Sequence, residues 1–597
     1  MRPRPSLLLL ALLASGCRTP PAPVAGPDVS TAEDAARPIR LSIVATNDLH
    51  GWVQPRATQL ADGSALEEGG VAAFGGYVKI LREDNPGGVI LLDAGDLFQG
   101  TLVANLSEGA VVIDAMNHLG YAAAAIGNHE FDYGPVGPLP TASGPGMDPF
   151  GALKARLAQA KFPILSGNIY EASSGDRPSW LGNVGMVIAE VKGVRVGIAG
   201  LVTPTTPMVT NPINVSTLRF GSLAPEAERA ARELRRKGAE VVIAIVHAGG
   251  FCKSLANPRD LSSCDSTGEI FEMLDHIPPG TFDAVLAGHT HTVLGHWVNG
   301  MPMIQDGAMG RAFGVVELFV DRQSRKVLAD RTAIQAGIPI CEQFEASLHD
   351  CDGKRAKEVA APHLVPATFL GKEVHRDLAL EKLIQPALEK VAALQQEKLG
   401  LEAPQPITRN YEAESALGSL LADALRDLDH ADVALLNSGG LRADLPAGPV
   451  HYGDVYEILP FDNTVATLVI TGEELKRMLL AAYGAKKGVF QQSGLKVVLD
   501  KCPGQGRLKS FTLADGAPIR PDGRYKVVMP DFLARGGDGL APVMDALPHD
   551  RVDLGDGRPL NFRDAVVDYF RRKGKALAPP PSGRTVLVDS GQACPRG

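Results

Sequence analysis

Between Ile39 and about residue 330, short apolar runs rich in Val, Ile, Leu and Ala alternate with stretches of helical spacing. Several of these runs gather their polar side chains at the end. "LSIVATNDLHG" closes on Asp48 and His50, "GVILLDAGDLFQG" on Asp93 and Asp96, and "YAAAAIGNHEFD" on Asn128 and His129. "EVVIAIVHAGG" closes on His247, and "FDAVLAGHTH" on His289 and His291. A strand with one wet face alternates apolar and polar residues, whereas one buried on both faces is apolar throughout. The pattern therefore predicts an α/β domain with covered strands and a site outside their carboxyl ends. Five strands aim nitrogen and oxygen donors at one crevice.

After about residue 355 the period changes. "EVHRDLALEKLIQPALEKVAALQQEKLG" repeats Leu, Ile, Val and Ala at helical spacing, interrupted by Pro386, and predicts a linking helix or the first helix of a second domain. From 403 to 590 a second α/β pattern follows, with its own polar islands: "ITRNYEAESALGSLLADALRD", "LLNSGGLRADLPAG", "ILPFDNTV" and "VVMPDFLARGGDGLAP". The chain of 597 residues exceeds what one core supports, so two domains are the natural division. Its formal charge of -9, with no basic run, argues against a sequence-independent grip on a nucleic acid polymer.

The start, "MRPRPSLLLLALLASGC", joins a basic end to an apolar run too short to span a bilayer, the pattern of a secretory signal. "LLASGC" resembles a bacterial lipobox, with Ala14 where Leu is usual; on that reading Cys17 carries the lipid that anchors the protein to a membrane. The alternative is a plain cleaved signal. The Pro- and Ala-rich stretch that follows reads as a tether. Six further cysteines in an exported chain point to disulfides, and none has the CxxC spacing of a zinc site. Proximity pairs Cys252 with Cys264 and Cys341 with Cys351, leaving Cys502 for Cys594.

Seven side chains form the candidate ligand set: Asp48, His50, Asp96, Asn128, His247, His289 and His291. Four imidazoles, two carboxylates and an amide, without a thiolate, exceed what one tetrahedral ion needs and suit two ions sharing a bridging carboxylate. The remaining histidines, among them His118 and His296, lack this setting and read as surface or core residues. His129 follows Asn128 directly and can serve as a cation or proton donor, with Asp132, three residues on, orienting its imidazole. Glu130 reads as structural.

In the second half, Arg409 and Arg442 offer forks for phosphate, Asn437 lies beside a Gly pair, and Phe461 and Phe532 each sit next to turn residues where a flat ring can stack. Asp538, on a glycine-rich loop, can accept both hydroxyls of a ribose.

"NDLHG", "DAGD", "GNHEFD", "VHAGG" and "AGHTH" resemble the ordered motifs of the calcineurin-like metallophosphoesterases, and "GNHEFDYG" resembles their 5′-nucleotidase and UDP-sugar hydrolase branch. The resemblance runs from about residue 40 to 590. It implies a metallophosphoesterase β-sandwich flanked by helices, a linker helix and a smaller C-terminal α/β 5′-nucleotidase domain. The divisions become 1–16 signal, 17–38 tether, 39–355 catalytic domain, 356–402 linker and 403–590 substrate-binding domain.

It also implies that Asp48, His50 and His291 hold one ion, that Asn128, His247 and His289 hold the other, and that Asp96 bridges. The ions would be Zn, Mn, Fe or Co, which these ligands do not distinguish. In some relatives Gln or Asn stands at the place of His291. His129 and Asp132 carry over as the catalytic pair, with Asn128 beside them. Phe461 and Phe532 carry over as a sandwich for the base, Asp538 as the ribose ligand, and Arg409, Asn437 and Arg442 as phosphate or sugar contacts. Three departures bear on substrate preference: Arg535 stands where relatives often carry Asn, Leu540 replaces a frequent aromatic, and "GPVGPLPTASGPGMDP" has the look of an insertion.

The activity implied is release of phosphate from nucleoside 5′-monophosphates by water activated between two metals, with di- and triphosphates or nucleotide sugars as further substrates. A 2′,3′-cyclic nucleotide phosphodiesterase and a thiosulfohydrolase share the two-domain plan, and the two phenylalanines favour a nucleotide. An inactive surface nucleotide-binding lipoprotein would lack a ligand, and none of the seven is missing. The setting implied is the periplasm or surface of a bacterium. Oligomeric state is left open.

Overall fold

The computed structural model describes residues 37–142, 146–182, 185–428, 430–484, 488–501, 507–555 and 560–589. The signal, the tether with Cys17, and the Cys502–Cys594 pairing lie outside the described residues. Among the described residues no helix is long and apolar enough to cross a membrane.

Two six-stranded sheets build the N-terminal half. In spatial order the first runs Ala333–Pro339, Ala312–Val320, Ile39–Thr46, Val89–Asp93, Ala123–Ala125 and Ile164–Leu165. The second runs Val293–Val298, Met301–Asp306, Ala284–Ala287, Val241–His247, Val194–Val202 and Met186–Val191. The strands carrying the polar ends are mutually parallel within each sheet: Val44 pairs with Leu91, and Ile245 with both Gly200 and Leu286. Their carboxyl ends therefore open on the same side.

The period of two along each strand divides its side chains between two cores. Val241, Ile243 and Ile245 face inward and meet Ile43, Ala45, Ile90 and Leu92 of the other sheet. Val242, Ala244 and Val246 face outward against Leu223, Ala227, Leu234 and Phe271 of the covering helices. Val44 and Leu91 likewise face out, against Phe74, Tyr77 and Ile113. The layers are thus helix, sheet, sheet, helix, and both faces of each central strand are dry, which is why those runs lack alternation. Ile243 and Ile245 have no exposed surface; truncating either to Ala costs about 2–5 kcal/mol.

The linking helix is Leu378–Gln395, capped by Asp377, whose carboxylate accepts the N–H groups of Ala379 and Leu380. Its Leu380, Ile384 and Val391 are buried in the same core as Phe74 and Tyr77. It also touches the helix Tyr452–Ile458 of the C-terminal half, so it packs on the first domain while contacting the second.

A five-stranded sheet of order Gln491–Ser493, Val433–Leu436, Arg524–Pro530, Val465–Thr471, Val552–Asp553 centres the C-terminal half. Ala434 and Leu436 face the helices Ala416–Leu428 and Phe562–Lys573, while Val433 and Leu435 face the helix Gly472–Gly484. The halves meet beside the polar strand ends, where Asn105 Nδ2 donates to the carbonyl of Pro460 at 2.9 Å. Asn105 is held in turn by the Tyr133 hydroxyl, which donates to its Oδ1 at 2.8 Å. Disulfides join Cys252 to Cys264 and Cys341 to Cys351, the two pairings predicted from proximity.

Candidate metal centre and substrate cleft

All seven candidate ligands come together. The donor atoms of Asp48, His50, Asp96 and His291 lie within 4.8 Å of one another, as do those of Asp96, His247 and His289, and Asp96 belongs to both groups. His247 Nε2 is 3.1 Å from Asp96 Oδ2 and 3.1 Å from Asn128 Oδ1, which brings the amide into the second group.

The turns that place these groups are unusual. Asp48, His50, Asp96, His289 and His291 all have positive φ, between 48° and 78°. Such a left-handed backbone costs on the order of 1–3 kcal/mol per non-glycine residue, so the surroundings must hold each one. They do so through the main chain: Asp48 N–H bonds to Gly95 O at 2.9 Å, His50 N–H to Asp96 O at 3.0 Å, and Met309 N–H to Asp48 O at 2.7 Å. Gly127 is needed for space, since a Cβ there would come within 2.2 Å of Asp96 Oδ1. Glu130, which is buried, accepts from the N–H groups of Gly127 (2.6 Å), Leu97 (2.7 Å) and Asp96 (3.0 Å), so it clamps two ligand turns together. Burial and the neighbouring Asp96 push its carboxyl up to about 7.

The donor set fits cations. His50 and His247 each face a backbone carbonyl with Nδ1, Gln99 O and Ala94 O, at 2.8 Å. A carbonyl only accepts, so Nδ1 donates and Nε2 is turned to the cluster. His50 Nε2 and His291 Nε2 then stand 3.0 Å apart, close enough for both imidazoles to serve one ion.

The electrostatics agree. Burial would raise the Asp48 carboxyl, but the His291 and His247 imidazoles outweigh it and hold it at about 2. Burial would lower His247, yet Asp96 and Asp48 push it up to about 10, so the carboxylates make this position one that favours positive charge. Burial and the charge of His247 press His289 down to about 3.

Beside this cluster, His129 Nδ1 and Asp132 Oδ2 are 2.5 Å apart. Burial lowers the His129 imidazole, but Asp132 and Asp96 outweigh it and raise the group above its ordinary value. With Nδ1 engaged, Nε2 is the nitrogen left for a ligand.

The C-terminal half brings Arg442 and Phe461 into the same space. Arg442 Nη2 lies 3.2 Å from His50 Nε2 and 3.4 Å from His291 Nε2, and its guanidinium is 5.8 Å from the Phe461 ring centre. The Phe461 and His129 ring centres are 5.4 Å apart. Asn437 and Asp538 pair with each other, Nδ2 to Oδ2 at 2.7 Å. Phe532 lies against Gly537 on that loop, and a Cβ on Gly537 would strike its ring at 2.4 Å. Arg409 is turned to the main chain, with Nη1 donating to Leu441 O at 3.0 Å. His118 and His296, outside the cluster, bond to Asp377 and to Ser254 O.

Two groups at the site were not singled out in the sequence. Asn47 Nδ2 donates to Asp48 Oδ2 at 2.6 Å, and the Thr210 hydroxyl bonds to Asp132 Oδ1. Asn47 sits within the quoted "NDLHG" and was recoverable there. Thr210 lies in a stretch with no motif and carries no local signal.

Comparison with known proteins agrees with this layout. The calcineurin-like phosphoesterase family matches residues 41–293, and the 5′-nucleotidase C-terminal domain family matches residues 391–546. The chain is 26% identical over 564 residues to the endonuclease YhcR of Bacillus subtilis, covering 92% of this chain but only 41% of that longer protein. It is 26% identical over 573 residues to a 5′-nucleotidase of Vibrio cholerae, covering 90% of this chain and 92% of the relative. The crystal structure of a 5′-nucleotidase precursor from Thermus thermophilus superposes with a TM-score of 0.72 at 25% identity, over 92% of this chain and 100% of the other. The chain is a hydrolase and belongs to the calcineurin-like metallophosphoesterases that carry a 5′-nucleotidase C-terminal domain.

Proposed function

We propose that this protein releases phosphate from nucleoside 5′-monophosphates in the cleft between its two halves, with nucleoside di- and triphosphates and nucleotide sugars as further substrates. The observation that carries the reading is the meeting of two chemistries: a seven-donor cluster from the first half, and Arg442 with Phe461 from the second, within contact of His50, His291 and His129.

In this reading Asp48, His50 and His291 would hold one divalent cation and Asn128, His247 and His289 another, with Asp96 shared by both donor groups. Two such ions polarise phosphoryl oxygens and lower the pKa of water. The protein's own groups do the rest. Arg442 offers a planar fork to phosphate oxygens. His129, whose imidazole Asp132 and Asp96 raise above its ordinary value against burial, places a proton at Nε2 for the leaving oxygen, while Asp132 holds the ring. Phe461 and Phe532 stack on the base, and Asp538 with Asn437 takes the ribose. Arg409 adds positive charge to the phosphate side. The working divisions are 39–355 for catalysis, 356–402 for linkage and 403–590 for substrate. Export by the N-terminal signal, with an anchor on Cys17, would place this activity in the periplasm or on the surface of a bacterium.

The test is phosphate release by the purified mature chain from AMP, UDP-glucose and 2′,3′-cAMP, with and without chelator. AMP turnover that chelator abolishes and added Mn²⁺ or Zn²⁺ restores is the expected result. Tight binding of AMP without turnover under every metal would overturn it in favour of a binding protein. Exclusive turnover of the cyclic substrate would reassign it as a phosphodiesterase.

A further inference from the structure

We propose that Thr210 is a positioning residue for the His129–Asp132 pair, an inference that rests on the phosphohydrolase reading above. Asp132 has two carboxylate oxygens and each has one partner: Oδ2 faces His129 Nδ1 at 2.5 Å, and Oδ1 accepts the Thr210 hydroxyl. A carboxylate held at one oxygen can swing about its Cβ–Cγ bond; held at both, it cannot, and the imidazole it supports is fixed with it. Thr210 is 2% exposed, so its hydroxyl is shielded from water on its own side of the bond.

Thr210 is itself rigid. It ends the short helix Thr206–Val209, its N–H donates to Thr206 O at 3.1 Å, and its backbone is extended at φ −127°, ψ 175°. The next residue, Asn211, caps the helix Pro212–Val215 with its side chain on Ile213 N–H. A hydroxyl pinned between two helix ends has little freedom to follow a moving carboxylate.

The residue before it acts on the neighbouring ligand. Val209 O accepts from Asn128 Nδ2 at 3.2 Å, which turns Asn128 Oδ1 toward His247 Nε2. Thr206–Val209 also packs against the turn Gly537–Gly539, which carries Asp538. One short segment thus braces the proton-bearing pair and the amide ligand, and it touches the loop of the substrate domain.

The role predicted for the hydroxyl is narrow. Thr210→Val keeps the shape and removes only the O–H. On AMP, kcat should fall about tenfold, the lower end of what losing an outer hydrogen-bond partner costs, while KM, metal content and melting temperature stay unchanged. Thr210→Ser, which keeps the hydroxyl, should restore kcat. In an Asp132→Asn background, Thr210→Val should add no further loss, because the pair acts as a unit. Wild-type kcat in Thr210→Val, failure of Thr210→Ser to restore it, or multiplying losses in the double variant would each overturn the proposal. If Thr210→Val does not fold, Thr210→Ala takes its place under the same criteria.

A readout independent of turnover separates this inference from the function it rests on. The downfield imidazole N–H proton of His129, identified by its loss in His129→Gln, should move in Thr210→Val and stay in place in Thr210→Ser. Should the wild-type chain release no phosphate from any nucleotide, the phosphohydrolase reading falls, and this resonance still decides the place of Thr210: an unmoved signal in Thr210→Val refutes it.

Discussion

Asp96 Oδ2 lies 3.1 Å from His247 Nε2, while the other oxygen of Asp96 accepts the His129 N–H at 2.9 Å. One carboxylate thus faces a ligand of the second group and anchors the turn of the proposed proton donor. It is also 3.7 Å from His50 Nε2 in the first group. Asp96→Ala should therefore weaken both donor groups at once: elemental analysis should read at most about one ion per chain against two in wild type. Phosphate release should fall on the order of 1000-fold, about 4 kcal/mol. Retention of both ions with full activity would remove Asp96 from the centre.

The His129–Asp132 pair has a pH signature. Asp132 and Asp96 raise the His129 imidazole against the effect of burial, so the protonated form persists above the ordinary histidine range. If that form donates the proton, kcat falls as pH rises through the raised value. Asp132→Asn removes one of the two raising charges, so the fall should move to lower pH. His129→Gln should lose the limb altogether and cost about 100- to 10,000-fold. A pH–rate profile of the three proteins checks this, and an unmoved limb in Asp132→Asn would count against the assignment.

The two shells of the site were legible to different degrees, for a physical reason. Asp48, Asp96, Asn128, His247 and His289 follow apolar strands directly, and parallel strands carry their ends to one side, so convergence follows from local pattern. Thr210 is 78 residues from its partner Asp132, and its contact depends on how a short helix folds back on the sheet. No period or spacing encodes that. The left-handed turns at five of the ligands were equally hidden, because Asp and His, although enriched at positive φ, adopt it in only a small share of cases. The Cys252–Cys264 and Cys341–Cys351 pairs were readable because each closes a short loop. The linking helix was readable as a helix, but its packing on the first domain through Leu380 and Ile384 required the fold.

Arg442 joins the halves at the point where chemistry is proposed. Its guanidinium touches His50 and His291 and lies near the Phe461 ring. Arg442→Ala should lower kcat/KM for AMP about 100-fold, as expected for a charge-assisted bond to phosphate worth roughly 3 kcal/mol. Arg442→Lys should recover little, since an ammonium supplies charge without the planar fork. Metal content should be unaffected in both. Loss of the ions in Arg442→Ala would mean that the residue supports the ligands and not the substrate.

Asp306 poses a different question, because nothing in the proposed reaction uses it. It ends the strand Met301–Asp306, gives its N–H to Asn47 Oδ1 at 2.8 Å, and accepts Gly337 N–H on Oδ1 at 2.8 Å. Its other oxygen is buried without a hydrogen-bond partner among the described residues. Burial pushes the carboxyl from 3.8 up to about 8, so at neutral pH the folded chain keeps a proton that the unfolded chain has released. Where the folded state binds the extra proton, stability falls as pH rises. This contribution is complete below about pH 4, lost progressively up to about pH 8 and flat beyond. Asp306→Asn keeps the shape and cannot ionise, so it should be more stable than wild type at neutral pH, by on the order of 1 kcal/mol or more. The advantage should shrink toward about pH 4. Denaturant titrations of both proteins across that interval measure the difference directly. A variant less stable than wild type at neutral pH would show that Asp306 is ionised there and satisfied by a partner, and the buried-acid account would be wrong.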